Sequence, residues 1–154
     1  MSKYLLGFNL LSTLKNNGIN WQPLAASINV AKGEVIFDNG SGYATNVGTA
    51  FAATFLGIAA ADANNGSGSA GDLSVPIIPP DFYEWLVPNE SATVAAQTDI
   101  GEIIDLDSND GVDVTDTTCV AYGFRVEGID ISTAAIAAAA GGFVRGKIIT
   151  MDQD

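Results

Sequence analysis

Ile28-Asn29-Val30-Ala31-Lys32-Gly33-Glu34-Val35-Ile36-Phe37-Asp38-Asn39-Gly40-Ser41-Gly42-Tyr43-Ala44-Thr45-Asn46-Val47 is the stretch on which the fold turns. Two apolar runs, Ile28 to Phe37 and Tyr43 to Val47, flank an Asp-Asn-Gly turn, the sequence signature of adjacent strands. Asn, Asp and Gly belong there because they reach positive φ at the least cost. The same punctuation returns at Asn64-Asn65-Gly66 and Asn109-Asp110-Gly111. Outward from it, short apolar runs follow one another: Thr54 to Ala60, Leu73 to Ile78, Phe82 to Val87, Ala92 to Ala96, Glu102 to Leu106, Cys119 to Val126 and Phe143 to Thr150. No long amphipathic helix pattern interrupts them, so the expected fold is all-β, a compact barrel or sandwich. Pro76, Pro79, Pro80 and Pro88 fall at the margins of runs, where a missing N–H does least harm to a sheet.

Two segments depart from this pattern. Ser132 to Ala140 is rich in alanine, begins at a serine suited to capping and stops at Gly141-Gly142. One short helix fits it, and so does a strand or loop whose small side chains admit a close neighbour. Residues 1–27 are dense in apolar side chains: Tyr4, Leu5, Leu6, Phe8, Leu10, Leu11, Leu14, Ile19 and Trp21. They read as an extended N-terminal arm ahead of a single β-rich domain, 28–154. Such an arm must cover itself, either on its own domain or on a neighbouring molecule. Tyr4, Leu5, Leu6, Phe8, Leu10, Leu11 and Trp21 are accordingly the candidate partner-binding residues. Asn9, Ser12 and Thr13 break the apolar stretch and Ala25-Ala26-Ser27 is a poor cleavage site, so it is not read as a secretory leader. No run is long enough to cross a bilayer as a helix.

With 154 residues, 47% of them hydrophobic and 16% charged, the chain suits one domain with its own core. Eighteen acids against six bases give a net charge of −12, which repels phosphate backbones and anionic headgroups. Nucleic acid and membrane are therefore not expected as partners; a surface offering cations is. The bases, Lys3, Lys15, Lys32, Arg125, Arg145 and Lys147, are expected to form no dense patch.

The absence of histidine removes Ser-His-Asp and Cys-His catalysis and the usual zinc sets. Cys119 stands alone, excludes an internal disulfide and reads as a small buried residue in a strand. Gly66-Ser67-Gly68-Ser69-Ala70-Gly71 has dinucleotide-loop glycines, but a strand-like run follows instead of the helix whose N-terminus would hold phosphate. Asp105, Asp107, Asn109 and Asp116 have the spacing of calcium-loop ligands, yet Asp110 stands where the glycine belongs, so a solvated acidic hairpin is the expectation. No catalytic residue, cofactor or metal site is expected, and the chain reads as a binding protein rather than an enzyme. A carbohydrate-binding module or glycosidase is a further reading, and would need a cleft with aromatics such as Tyr83, Trp85 and Trp21 exposed beside acids. Asn65-Gly66-Ser67 and Asn89-Glu90-Ser91 match glycosylation sequons.

Three stretches in order, Val30-Ala31-Lys32-Gly33-Glu34-Val35-Ile36, Phe55-Leu56-Gly57-Ile58-Ala59 and Thr98-Asp99-Ile100-Gly101-Glu102-Ile103-Ile104-Asp105-Leu106, resemble the small capsid decoration, or cement, proteins of tailed bacteriophages. Tyr122-Gly123-Phe124-Arg125-Val126-Glu127-Gly128-Ile129-Asp130 and Phe143-Val144-Arg145-Gly146-Lys147-Ile148 look like that family's last strands. The resemblance implies a structural virion protein on the outer surface of the head. It implies a homotrimer bound to the major capsid protein, an N-terminal arm making the contact, and stabilisation of the capsid lattice. The chain departs from the family in its longer, more apolar N-terminal stretch. Removing residues 1–20 is then expected to leave the domain folded and abolish binding. A head-fibre base or tail component is the alternative within virions.

Overall fold

The computed structural model describes residues 7–10, 18–80, 83–130 and 141–151. The Ala-rich segment 132–140 lies outside them. Described residues form three antiparallel sheets, which bears out the all-β expectation. The largest contains, in spatial order, β1 (Asn9–Leu10), β9 (Trp85–Pro88), β13 (Phe143–Thr150), β12 (Tyr122–Asp130), β10 (Ile103–Leu106) and β11 (Val112–Asp113). The second contains β2 (Asn20–Pro23), β8 (Ser74–Ile78), β6 (Phe55–Ala59), β4 (Val35–Asp38) and β5 (Ala44–Thr45), and a small third pairs β3 (Asn29–Val30) with β7 (Ala63–Asn64).

The opening stretch folds as its turn residues dictate, with one break. Asp38 Oδ1 accepts the N–H groups of Gly40 (2.6 Å) and Gly42 (3.1 Å), and Asn39 Oδ1 those of Ser41 (2.9 Å) and Tyr43 (3.2 Å), joining β4 to β5. The run from Ile28 to Phe37 is two strands. Glu34 Oε2 accepts the Ala31 N–H at 2.9 Å, and the turn this makes separates β3 from β4.

Burial explains why the two large sheets read differently in sequence. Val35, Phe37, Phe55, Ile58 and Ile78 join the larger core cluster, while Ile36, Ala44, Ala59, Val75 and Ile77 join the smaller. The strands β4, β6 and β8 of the second sheet are therefore buried on both faces and are largely apolar runs, whereas the terminal strand β2 is not. β12 alternates instead: Phe124 and Val126 point inward, Arg125 and Glu127 outward. A bulge between Val126 and Gly128 interrupts its pairing with β13.

Both large sheets curl until their ends meet. Asn89, just past β9, bridges to Val112 of β11, and the Glu90 N–H donates to the Val112 carbonyl at 2.9 Å. Leu24, just past β2, bridges in the same way to Ala44 of β5. Asn89 is fully buried and acts as a rivet: its amide donates to the Thr93 (2.7 Å) and Gly141 (3.0 Å) carbonyls, and its oxygen accepts the Val114 N–H (3.3 Å). These bonds hold the segment after β9 in a loop, so Ala92 to Ala96, expected as a strand, instead leads into a single 3-10 turn at Gln97–Asp99. Pro76, expected at a strand margin, lies inside β8. Its carbonyl accepts the Ala60 N–H, so its donorless nitrogen faces the β6 side just past the end of that strand, where no ladder bond is lost.

Candidate docking surface

β2 is the terminal strand of the second sheet, and although the chain just past it closes onto β5 at Leu24 and Ala25, its register at Trp21 presents an edge. Because the polar groups of Pro76 face β6, its cross-strand partner Trp21 forms a non-hydrogen-bonded pair with it. The N–H and C=O of Trp21 therefore point away from β8, outward from the sheet. Trp21 is 68% exposed and Ile19, two residues back on the same face, 42%. Trp21 is the one aromatic among the exposed large hydrophobics of the described residues. No charged residue occurs from Asn16 to Ala31, so this ridge is a neutral strip on a chain of net charge −12.

The other arm residues part company with Trp21. Tyr4, Leu5, Leu6 and Leu11 lie outside the described residues. Phe8 is 3% exposed, wedged edge-on against Phe51, Trp85 and Phe124 with ring centroids 6.0–6.2 Å apart, and Leu10 packs partly buried on the same cluster. Phe8 is thus a core residue and cannot serve as a surface contact. β1 completes the first sheet and β2 the second, so what is described of residues 1–27 belongs to the folded domain and is not a free arm. The expectation that residues 1–20 can be removed harmlessly fails with it, since losing a buried Phe alone costs about 3–5 kcal/mol.

Tyr83 and Trp85, which a sugar-binding cleft would need at the surface, are also core residues, 5% and 0% exposed. The sequon asparagines Asn65 and Asn89 are buried as well; Asn65 ties the Gly66–Gly71 loop down by donating to the Ala25 (2.9 Å) and Ser69 (3.0 Å) carbonyls. The calcium-like residues serve separate local bonds. Asp105 is buried and accepts the Phe51 and Leu106 N–H groups, Asn109 donates to the Asn46 carbonyl, and Thr118 donates its N–H and hydroxyl to Asp116, holding that carboxyl below its usual range. Among the described residues no three Asp, Glu, Cys or His side chains are grouped to hold a metal ion.

Cys119 precedes β12 in a loop and is only partly buried, unlike its expected place inside a strand. Burial, with the nearby Asp105 and Asp116 carboxylates, pushes its thiol up to about 11, which leaves it a poor nucleophile at neutral pH. Glu90 and Asp110 both meet the Ser108 hydroxyl at 2.5 Å. Burial raises the Glu90 carboxyl; the Ser108 bond opposes this, and the Asp110 and Asp107 charges add to it.

The bases are less scattered than their sequence positions imply. Arg125 and Lys147 are directly opposed across β12 and β13, and Arg145 stands two residues before Lys147 on the same outer face. Ion pairs to Glu84 (Arg145, 3.4 Å) and Glu127 (Lys147, 4.0 Å) complete this strip. Half of the chain's six bases thus share one sheet face, with Glu84 and Glu127 standing among them. No helix among the described residues is long and apolar enough to cross a membrane. No protein-family model and no curated protein matches the chain.

Proposed function

We infer that the chain is a structural protein of a tailed-phage virion, carried on the outer surface of the head and stabilising the capsid lattice through the major capsid protein. The observation that carries this reading is the neutral β2 edge, where an exposed Trp21 stands beside outward-pointing main-chain groups. An edge of this kind joins a partner by extending its sheet, with main-chain hydrogen bonds giving affinity and the aromatic anchor giving selectivity. The ordered resemblance to decoration proteins and the all-β fold support the same reading. Copies grouped as a homotrimer would bind a lattice as one unit, so each contact can be weak.

Purified virions test the reading directly. The protein should be found in stoichiometric amount with the major capsid protein, and by electron microscopy on the head surface. Trp21→Ala should weaken binding to stripped heads by roughly 2 kcal/mol or more, the loss of a buried aromatic anchor. Presence in only a few copies at the tail or a fibre base would favour the alternative virion component, and absence from virions would remove both.

A further inference from the structure

We propose that the turn between β4 and β5 modifies itself: Asn39 loses its side-chain amide through attack by the Gly40 main-chain nitrogen, with Asp38 taking the proton. Asn-Gly occurs three times, at Asn17-Gly18, Asn39-Gly40 and Asn65-Gly66. Glycine has no Cβ to obstruct the approach of its nitrogen to the preceding side chain, so each pair is chemically able to react in this way. Asn17 lies outside the described residues. Around Asn39 the groups that the reaction needs are assembled. Its Oδ1 accepts the Ser41 N–H at 2.9 Å, closing a small ring of which Cγ and the Gly40 nitrogen are both members. The Tyr43 N–H reaches the same oxygen at 3.2 Å. Two main-chain donors on one carbonyl oxygen draw charge from Cγ and stabilise the oxyanion that forms when it is attacked. The Gly40 N–H itself donates to Asp38 Oδ1, 2.6 Å away, a carboxylate in place to accept the proton. Asn39 and Gly40 are exposed, and a Cβ built on Gly40 would meet nothing within 4 Å, so ring closure is unobstructed and water can enter.

Asn65 is set the opposite way. It is 5% exposed, and its amide nitrogen, the leaving group, is tied by donation to the Ala25 and Ser69 carbonyls. The Gly66 N–H faces the Asn64 amide oxygen at 3.0 Å, a far weaker base than a carboxylate. A Cβ on Gly66 would lie 2.9–3.2 Å from the Asn29 and Asn64 side chains, so this peptide has little room to turn. In the reaction at Asn39, a bond forms between Gly40 N and Asn39 Cγ while the Cγ–Nδ2 bond breaks. Nδ2 leaves as ammonia, carrying the proton that Asp38 removed from Gly40. Water then opens the succinimide. Attack at Cγ leaves an aspartate in the normal backbone; attack at the main-chain carbonyl leaves isoaspartate, with the backbone rerouted through the side chain. Either product sets a second carboxylate beside Asp38 and deepens the net charge of −12 by one. The turn thus records the age of each molecule, whatever surface the protein docks on.

Peptide mapping by mass spectrometry tests this on the full chain incubated warm at neutral pH, because it follows each Asn-Gly pair separately. Asn39 should convert faster in the folded protein than in urea, where the turn is dissolved. Asn65 should convert in urea and stay intact in the fold. Folded-state conversion of Asn39 no faster than in urea, or conversion of Asn65 alongside it, overturns the proposal. Asp38→Asn keeps an oxygen facing Gly40 but removes the base. It should slow Asn39 by roughly tenfold or more in the folded protein and leave its rate in urea unchanged. An undiminished rate in the folded variant sinks the assignment of Asp38, and an equal slowing in urea would trace the effect to local sequence rather than to the folded turn.

Discussion

Glu90 follows the bridge that closes the larger sheet, and its carboxyl, on a side chain that is exposed overall, is partly desolvated beside Asp110 and Asp107. Its folded-state pKa stands above its unfolded one, so the protonated form favours the fold. That contribution is full below the ordinary glutamate range and is lost as pH rises through that range toward the raised value. Glu90→Gln should therefore gain thermal midpoint over the wild type at neutral pH and converge with it in acid, measured as the difference between the two melting curves across pH. A variant less stable than wild type at neutral pH would show that the Ser108 bond outweighs burial. None of this was legible in the sequence, because Glu90 and Ser108 are brought together only by the closing bridge. Residue type was informative where chemistry is local, as in the Asp38-Asn39-Gly40 turn. It misled where burial is decided at long range: Tyr83, Trp85 and Phe8 look the same in sequence whether they face a ligand or a core.

At the scale of elements, β12 and β13 were the most readable, because a sheet with one wet face writes its alternation into the chain. The two-residue strands β1, β3, β5, β7 and β11 were not, since a pair of residues carries no period and exists only through its neighbours. Hidden in β13 is a position with a sharp requirement. A Cβ on Gly146 would lie 1.9 Å from the Arg125 carbonyl oxygen, backbone that cannot swing aside. Gly146→Ala should destabilise the protein by roughly 2–4 kcal/mol, the cost of overpacking against a ladder. The denaturant midpoint should fall with an unchanged slope. A midpoint near wild type would mean that the β12–β13 ladder is looser than its register implies.

For the molecule as a whole, the all-β class was visible from turn spacing, but the role of the N-terminal stretch was not. Its apolar side chains had to be covered, and the sequence could not say by what. Phe8 meets residues 43 to 116 positions further along the chain, contacts that no local pattern encodes. Deleting residues 1–20 should therefore leave an unfolded or molten chain, seen as lost near-ultraviolet circular dichroism and a lost cooperative melt. Removing Phe8 alone takes about 3–5 kcal/mol from a typical total of roughly 5–15 kcal/mol. A cooperative melt in that truncation would restore the arm as a separate unit. Equally invisible was the convergence of Arg125, Arg145 and Lys147, which needs the β12–β13 register to be seen.

The central place of β13 in the larger sheet bears on how the protein is made. It pairs with β9 on one side and β12 on the other, yet it follows both of them in the chain. Until β13 has paired, β1 and β9 share no ladder with β12 and β10 and are held to them only through the bridge from Asn89 to Val112. The larger sheet can thus be completed only once Thr150 has been made, and its long-range pairings form at the slow rate of a topology with distant partners. Until that moment, nascent chains carry uncovered strand edges on β9 and β12, a window in which chaperone capture or aggregation competes with completion.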